Sequence, residues 1–236
     1  MEDRAEKSFG DMKVTLFRCG AKAERTVLLP LGKSEHAGLL RLLDGAPLAL
    51  AALDGLDWDR DLTPWPAPAL FPGRVFAGGA EALLGRLTEE VLPWLSACGA
   101  PERLALAGYS LAGLFALWAS TRTERFGRIV SMSGSLWYDG FTEDFGSQPC
   151  FAEQVYLSLG DREARARNPR MARVEEATDA CAARIAAQGI PVRSVRHPGG
   201  HFRDVPMRMA DGLLRGAAEA ITPALPGPSP VPSPEH

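Results

Sequence analysis

The sequence predicts an α/β protein, a mostly parallel central sheet with helices on both faces. Short apolar runs rich in Val, Leu and Ala alternate along the chain with longer stretches whose apolar residues recur at i, i+3 and i+4. Parallel neighbours need crossover connections, and the helical stretches fall where crossovers are required. The length of 236 residues, 46% of them hydrophobic, suits one substantial core and is short for two.

The elements follow in order. Apolar runs at 12–18 and 26–30 have strand length, and a helical period at 34–43 leads to a third run, "PLALAAL", at 47–53. The stretch 79–97 carries Ala, Leu and Glu at helical spacing. A strand at 103–107 runs almost directly into a helix at 111–121. Strands at 128–132, 154–159 and 191–196 follow, with helices at 170–188 and 205–220. From Thr222 the chain reads "TPALPGPSPVPSPEH", where proline denies regular hydrogen bonding and little apolar area is available to bury. The expectation is a single domain over 1–221 and a disordered tail over 222–236.

Charge and composition narrow the function. A net charge of −3 without blocks of like charge gives no footprint for nucleic acid or an anionic membrane surface. No leader-like segment opens the chain and no run approaches the roughly 18 apolar residues of a spanning helix, so a soluble, cytoplasmic protein with a small-molecule ligand is expected. Cys19, Cys98, Cys150 and Cys181 lack metal-site spacing and read as free thiols. Asp57, Asp59 and Asp61 have the first three spacings of a calcium loop, but Leu62 and Pro68 stand where glycine and glutamate are needed. The "GKS" at 32–34 lacks the glycine of a phosphate loop, with Val27 in its place. Neither metal nor nucleotide is indicated, and no cofactor is expected.

The chemistry concentrates in strand-to-helix turns, because ligands of such sheets bind outside the carboxyl ends of the strands. In "LALAGYSLAGLFALWAS" Ser110 occupies one of these turns, flanked by Gly108, Ala112 and Gly113. This is close to G-x-S-x-G, where a strained turn lifts a serine hydroxyl clear of the sheet. Taken alone, the pattern fits a helix-capping serine equally well. A nucleophilic serine also needs a base and an acid to orient that base. Asp161 and Glu163 follow the run "VYLSL", and His197 and His201 follow "PVRSVR", giving the order serine, acid, histidine. His36 precedes the serine on a helix and His236 ends the tail, while His197 stands at the strand end beside Pro198. His201 follows two glycines that free the backbone to turn the imidazole towards Ser110. Either carboxylate could orient it.

The segments "LDGLDWDRDLTPW", "AGYSLAGLFALW", "SMSGSLWY", "LSLGDREARARN" and "PGGHF", spread from about Val27 to Leu214, resemble the esterase D-like branch of the α/β-hydrolases. That branch includes S-formylglutathione hydrolases, mycolyltransferases and enterochelin-type siderophore esterases. The resemblance implies a serine esterase, with the acid three residues past the strand-ending glycine, at Glu163. Ala112 departs from the glycine many members carry there. In such an enzyme Ser110 would attack an ester carbonyl, His201 would take the proton and Glu163 would hold the imidazole. The oxyanion would meet the backbone N–H of Leu111 and, by the resemblance, that of Leu56.

Trp58, Trp65, Phe71 and Trp137 are candidates for the pocket wall, although each could simply pack, and Arg60 could read a substrate anion or pair with its aspartates. Only about twenty residues separate the strands ending near Met132 and starting near Gln154, which leaves little chain for a lid. The same triad could serve an acyltransferase, and the fold alone could serve a binding scaffold.

Overall fold

The structure, a computed structural model, describes residues 4–32, 36–68, 70 and 75–221. The 222–236 segment, Phe71 and Ser34 lie outside the described residues. An eight-stranded sheet holds β1 (Arg4–Phe9), β2 (Met12–Arg18), β3 (Arg25–Pro30), β4 (Leu48–Asp54), β7 (Leu104–Tyr109), β8 (Arg128–Met132), β9 (Gln154–Gly160) and β10 (Val192–His197) in the order β1-β2-β4-β3-β7-β8-β9-β10. β1 and β2 are antiparallel to each other and β2 to β4; all remaining neighbours are parallel. This is the mostly parallel sheet that the alternating pattern predicts.

The two-residue period of the strands divides the core. On one face Leu28, Ala51, Leu106, Ile129 and Leu157 pack with helix α5 (Leu111–Ala119) and helix α8 (Val174–Ala187). On the other, Val27, Leu29, Leu50, Ala107, Val130 and Tyr156 meet helix α1 (His36–Leu42) and helix α9 (Val205–Gly212). α5 is buried along its whole length after Leu111, which explains a sequence apolar on every side.

Three differences from the sequence expectations have physical causes. β1, "RAEKSF", is a charged, largely exposed edge strand and so carries no apolar run. The helix expected at 79–97 forms as α3 (Ala80–Arg86) and α4 (Leu92–Ala97) joined by a wide π-type turn over Leu87–Val91. Pro93, which cannot donate and crowds the preceding turn, accounts for that widening. The expected 170–188 helix breaks at Arg173 into α7 (Pro169–Ala172) and α8. A short hairpin of β5 (Pro66–Pro68) and β6 (Val75–Ala77) follows helix α2 (Trp58–Asp61), and helix α6 (Phe141–Ser147) occupies the β8–β9 connection. Phe141 and Phe145 of α6 are buried against each other, ring centroids 5.7 Å apart, so this connection is packed down.

The order β7-β8-β9-β10 matters most for the site. Ser110, Ser133, Glu163 and His201 follow the carboxyl ends of these four adjacent strands. Residues distant in sequence therefore meet along one sheet edge.

Candidate active site

Ser110 has φ 61° and ψ −123°, in the left-handed half of backbone space that a β-carbon disfavours. Packing enforces this conformation. The Ser110 N–H donates to Met132 O at 3.0 Å, and its carbonyl accepts from Gly113, Leu114 and Ser135 at 3.0, 3.1 and 3.0 Å. A β-carbon on Gly108 would overlap the Ala112 backbone, so glycine is needed there. The departure at Ala112 is accommodated, because its side chain is fully buried in the core. The capping alternative fails on geometry: the Ser110 hydroxyl makes no cap bond to α5.

That hydroxyl instead faces His201. Ser110 Oγ lies 3.1 Å from His201 Nε2, and His201 Nδ1 lies 2.8 Å from Glu163 Oε2. Of the two carboxylates left open by the residues, Glu163 reaches the imidazole. Asp161 Oδ1 accepts from the Gly199 N–H at 2.7 Å and so ties together the loops after β9 and β10. His197 sits at the end of β10, 3.7 Å from Asp211, away from the serine.

Glu163 is 6% exposed. Burial alone would raise its pKa; hydrogen bonds from His201, Arg208 and Ser133, with the charge of His201, outweigh that and draw it from 4.5 to about 2. Its Oε1 accepts from the Ser133 hydroxyl, the Gly160 N–H and Arg208 Nη2, each at 2.7 Å. Oε2 is thereby left for the imidazole.

Comparisons with known proteins bear on the family and the fold. The esterase family model, described as "Putative esterase", matches residues 57–205, more than half of the chain. The chain belongs to the esterase family. A Bacillus subtilis (strain 168) relative, "Uncharacterized protein YbbA", is 30% identical over 113 residues, and the match spans 44% of this chain and 45% of that protein. Among solved structures, an IroE-like serine hydrolase from Shewanella oneidensis superposes with a TM-score of 0.72 at 17% identity, over 90% of this chain and 79% of that one. The siderophore hydrolase EstA from Aspergillus nidulans gives 0.65 at 19% identity over 90% and 92%, and the enterobactin hydrolase IroE in complex with DFP gives 0.68 at 18% over 90% and 94%. These likenesses establish the α/β-hydrolase fold.

In this esterase a cleft of about 370 Å³ opens over Ser110 and His201. Trp58, Leu70, Phe76, Trp137, Met171 and Phe202 form its apolar wall, and Leu111 and Ser135 reach its floor. Leu111 begins α5, so no preceding helical carbonyl can accept its N–H. Leu56 lies half-buried against the core in the loop after β4. Trp65 and Arg60 are engaged elsewhere. Trp65 donates its indole N–H to Asp139 O at 2.9 Å and packs edge-on against Tyr138, while Arg60 forms a two-pronged pair with Asp61 at 2.7 and 3.2 Å.

Sequence reasoning missed Arg208, Ser133, Ser135 and Phe202. Arg208 is 2% exposed, donates Nη1 to Gly200 O at 3.1 Å and Nη2 to Ser133 Oγ as well as Glu163. One guanidinium thus holds both the acid and the histidine loop. The available signal was an arginine on the buried stripe of α9, beside Met209 and one turn before Gly212 and Leu213. Ser135 Oγ stands 3.4 Å from Ser110 Oγ, and Phe202, 86% exposed, lies edge-on to the His201 ring at 4.9 Å.

The four cysteines are free, and burial pushes Cys19 up to about 11 and Cys181 to about 12. Among the described residues no helix is long and apolar enough to cross a membrane.

Proposed function

We propose that this esterase cleaves carboxylic esters through an acyl-enzyme on Ser110. The observation that carries the reading is the continuous hydrogen-bonded chain from Ser110 through His201 to Glu163, with the serine held at positive φ beneath an open cleft. Ser110 Oγ attacks the ester carbonyl while its proton passes to His201 Nε2, and Glu163 stabilises the imidazolium that forms. The tetrahedral oxyanion sits on the backbone N–H groups of Leu111 and Leu56. On collapse the proton goes to the departing alcohol. Water, deprotonated by His201, then attacks the acyl-enzyme, and a second collapse returns the free acid and Ser110. No step calls for a metal or cofactor.

The apolar wall favours esters with a bulky hydrophobic or aromatic acyl group. Siderophore-type esters are the substrate class, supported by the siderophore hydrolases among the structural neighbours. Trp58 and Trp137 supply flat faces for the acyl group; Trp65 and Arg60 support the loop that carries Trp58. The test is hydrolysis of p-nitrophenyl esters of increasing acyl bulk, followed by hydroxamate and catecholate siderophores bearing ester links. Turnover of at least one class by the wild type, and none by Ser110→Ala or His201→Ala, is the expected result. Equal turnover by Ser110→Ala would refute the assignment.

A further inference from the structure

A second cavity, about 750 Å³, lies at the other end of the sheet, among the residues that start β3, β7 and β8. Four arginines line it, Arg25, Arg103, Arg125 and Arg128, with Glu102, Glu124 and Glu153. The two signs are not equally placed. The three glutamates, Arg103 and Arg125 are exposed, whereas Arg25 is 7% exposed. Arg128, half-buried, spends Nη1 on the carbonyls of Ala217 and Glu219 at 2.5 and 2.9 Å. Arg25 has no hydrogen-bond or ion-pair partner among the described residues.

The Arg25 side chain lines the cavity and its nitrogens are not sealed from it, so its N–H groups are presented with no protein acceptor and can make charge-assisted hydrogen bonds to an anion. Burial and the nearby Arg128 and Arg103 charges lower the Arg25 pKa to about 10, opposed by Glu153, so it stays cationic at neutral pH. The four arginines outnumber the three glutamates of the lining, and Glu153 offsets the charge on Arg25 only in part. We propose that this cavity is an oxyanion-binding site, in which a phosphate or carboxylate group is held by Arg25 with Arg103 at the mouth. It faces away from the catalytic edge, since Ser110 and His201 follow the opposite ends of the same strands. A bound anion would act on stability rather than compete with the ester.

The test uses the full chain at fixed ionic strength, titrated with inorganic phosphate and, separately, with citrate, reading Tm and heats of binding. A saturable rise in Tm with at least one of the two is expected, with ester turnover unchanged; the stronger ligand distinguishes a phosphate source from a carboxylate one. Arg25→Met should weaken binding about tenfold or more, as loss of a charge-assisted hydrogen bond implies. Without ligand it should melt no lower than the wild type, because an unpaired buried charge is gone. Arg103→Gln, at the exposed mouth, provides the same readout should Arg25→Met fold poorly, with a smaller loss expected. No saturable binding of either anion, binding undiminished in both variants, or competitive inhibition of ester hydrolysis would overturn the site.

Discussion

Arg208→Met removes a single buried cation from behind Glu163 and leaves a side chain of similar length. Glu163 then loses the Nη2 contact at 2.7 Å while keeping Ser133, Gly160 and His201. Breaking a fully buried pair costs about 3–5 kcal/mol. The three surviving donors place this case at the lower end, about 3 kcal/mol. The same contact shapes the response to acid. A carboxyl whose folded pKa is depressed from 4.5 to about 2 contributes stability that is fully present above pH 4.5 and lost as pH falls towards 2. At about 1.4 kcal/mol per unit, the wild type should lose on the order of 3 kcal/mol over that window from this group. Arg208→Met should start less stable at pH 7 and lose less on acidification. Urea unfolding at a series of pH values measures both quantities, and parallel assays should show kcat falling more than KM rises, with partial recovery in Arg208→Lys. Wild-type stability and an unaltered pH dependence in Arg208→Met would show that Arg208 does not hold Glu163 ionised.

Glu163→Gln and Asp161→Asn separate the two carboxylates: the first should lower kcat by orders of magnitude through loss of imidazole orientation, the second should mainly loosen the Gly199 turn, and steady-state kinetics compares them. Gly108→Ala should cost several kcal/mol in urea unfolding or prevent soluble expression, because its new methyl must displace the Ala112 backbone. Trp65→Phe, which removes the Asp139 hydrogen bond but keeps most of the ring packing, should lower stability by about 1 kcal/mol with kcat/KM for a short ester within a few-fold of wild type.

The parts of the molecule legible in the sequence are those where one strong local signal sufficed. The inner parallel strands β3, β4, β7, β8 and β9 announce themselves as apolar runs because they are buried on both faces. Ser110 and His201 stand in glycine-punctuated turns at predicted strand ends, which is why the sheet edge could be inferred before any coordinates. The choice between Asp161 and Glu163 was not open to residue physics, since both are short-range neighbours in a polar loop. It turns on a three-residue 3-10 turn, Glu163–Arg165, that points Glu163 inwards to Gly160, Ser133 and Arg208. β1 stayed hidden because an edge strand paired on one side needs few apolar residues. Arg208 stayed hidden because its partners come from three other segments, and its place on the buried stripe of α9 does not say what the guanidinium meets. Trp65 shows the converse: an aromatic of the pocket loop whose indole N–H is satisfied by the scaffold and which does not line the cleft.

The most direct test of the central assignment is covalent. An organophosphorus fluoride should modify the wild type stoichiometrically, abolish ester hydrolysis in step, and appear by peptide mass spectrometry on Ser110 alone, with Ser110→Ala unlabelled. Full activity after complete labelling, or an adduct on another residue that tracks the loss of activity, would contradict the account.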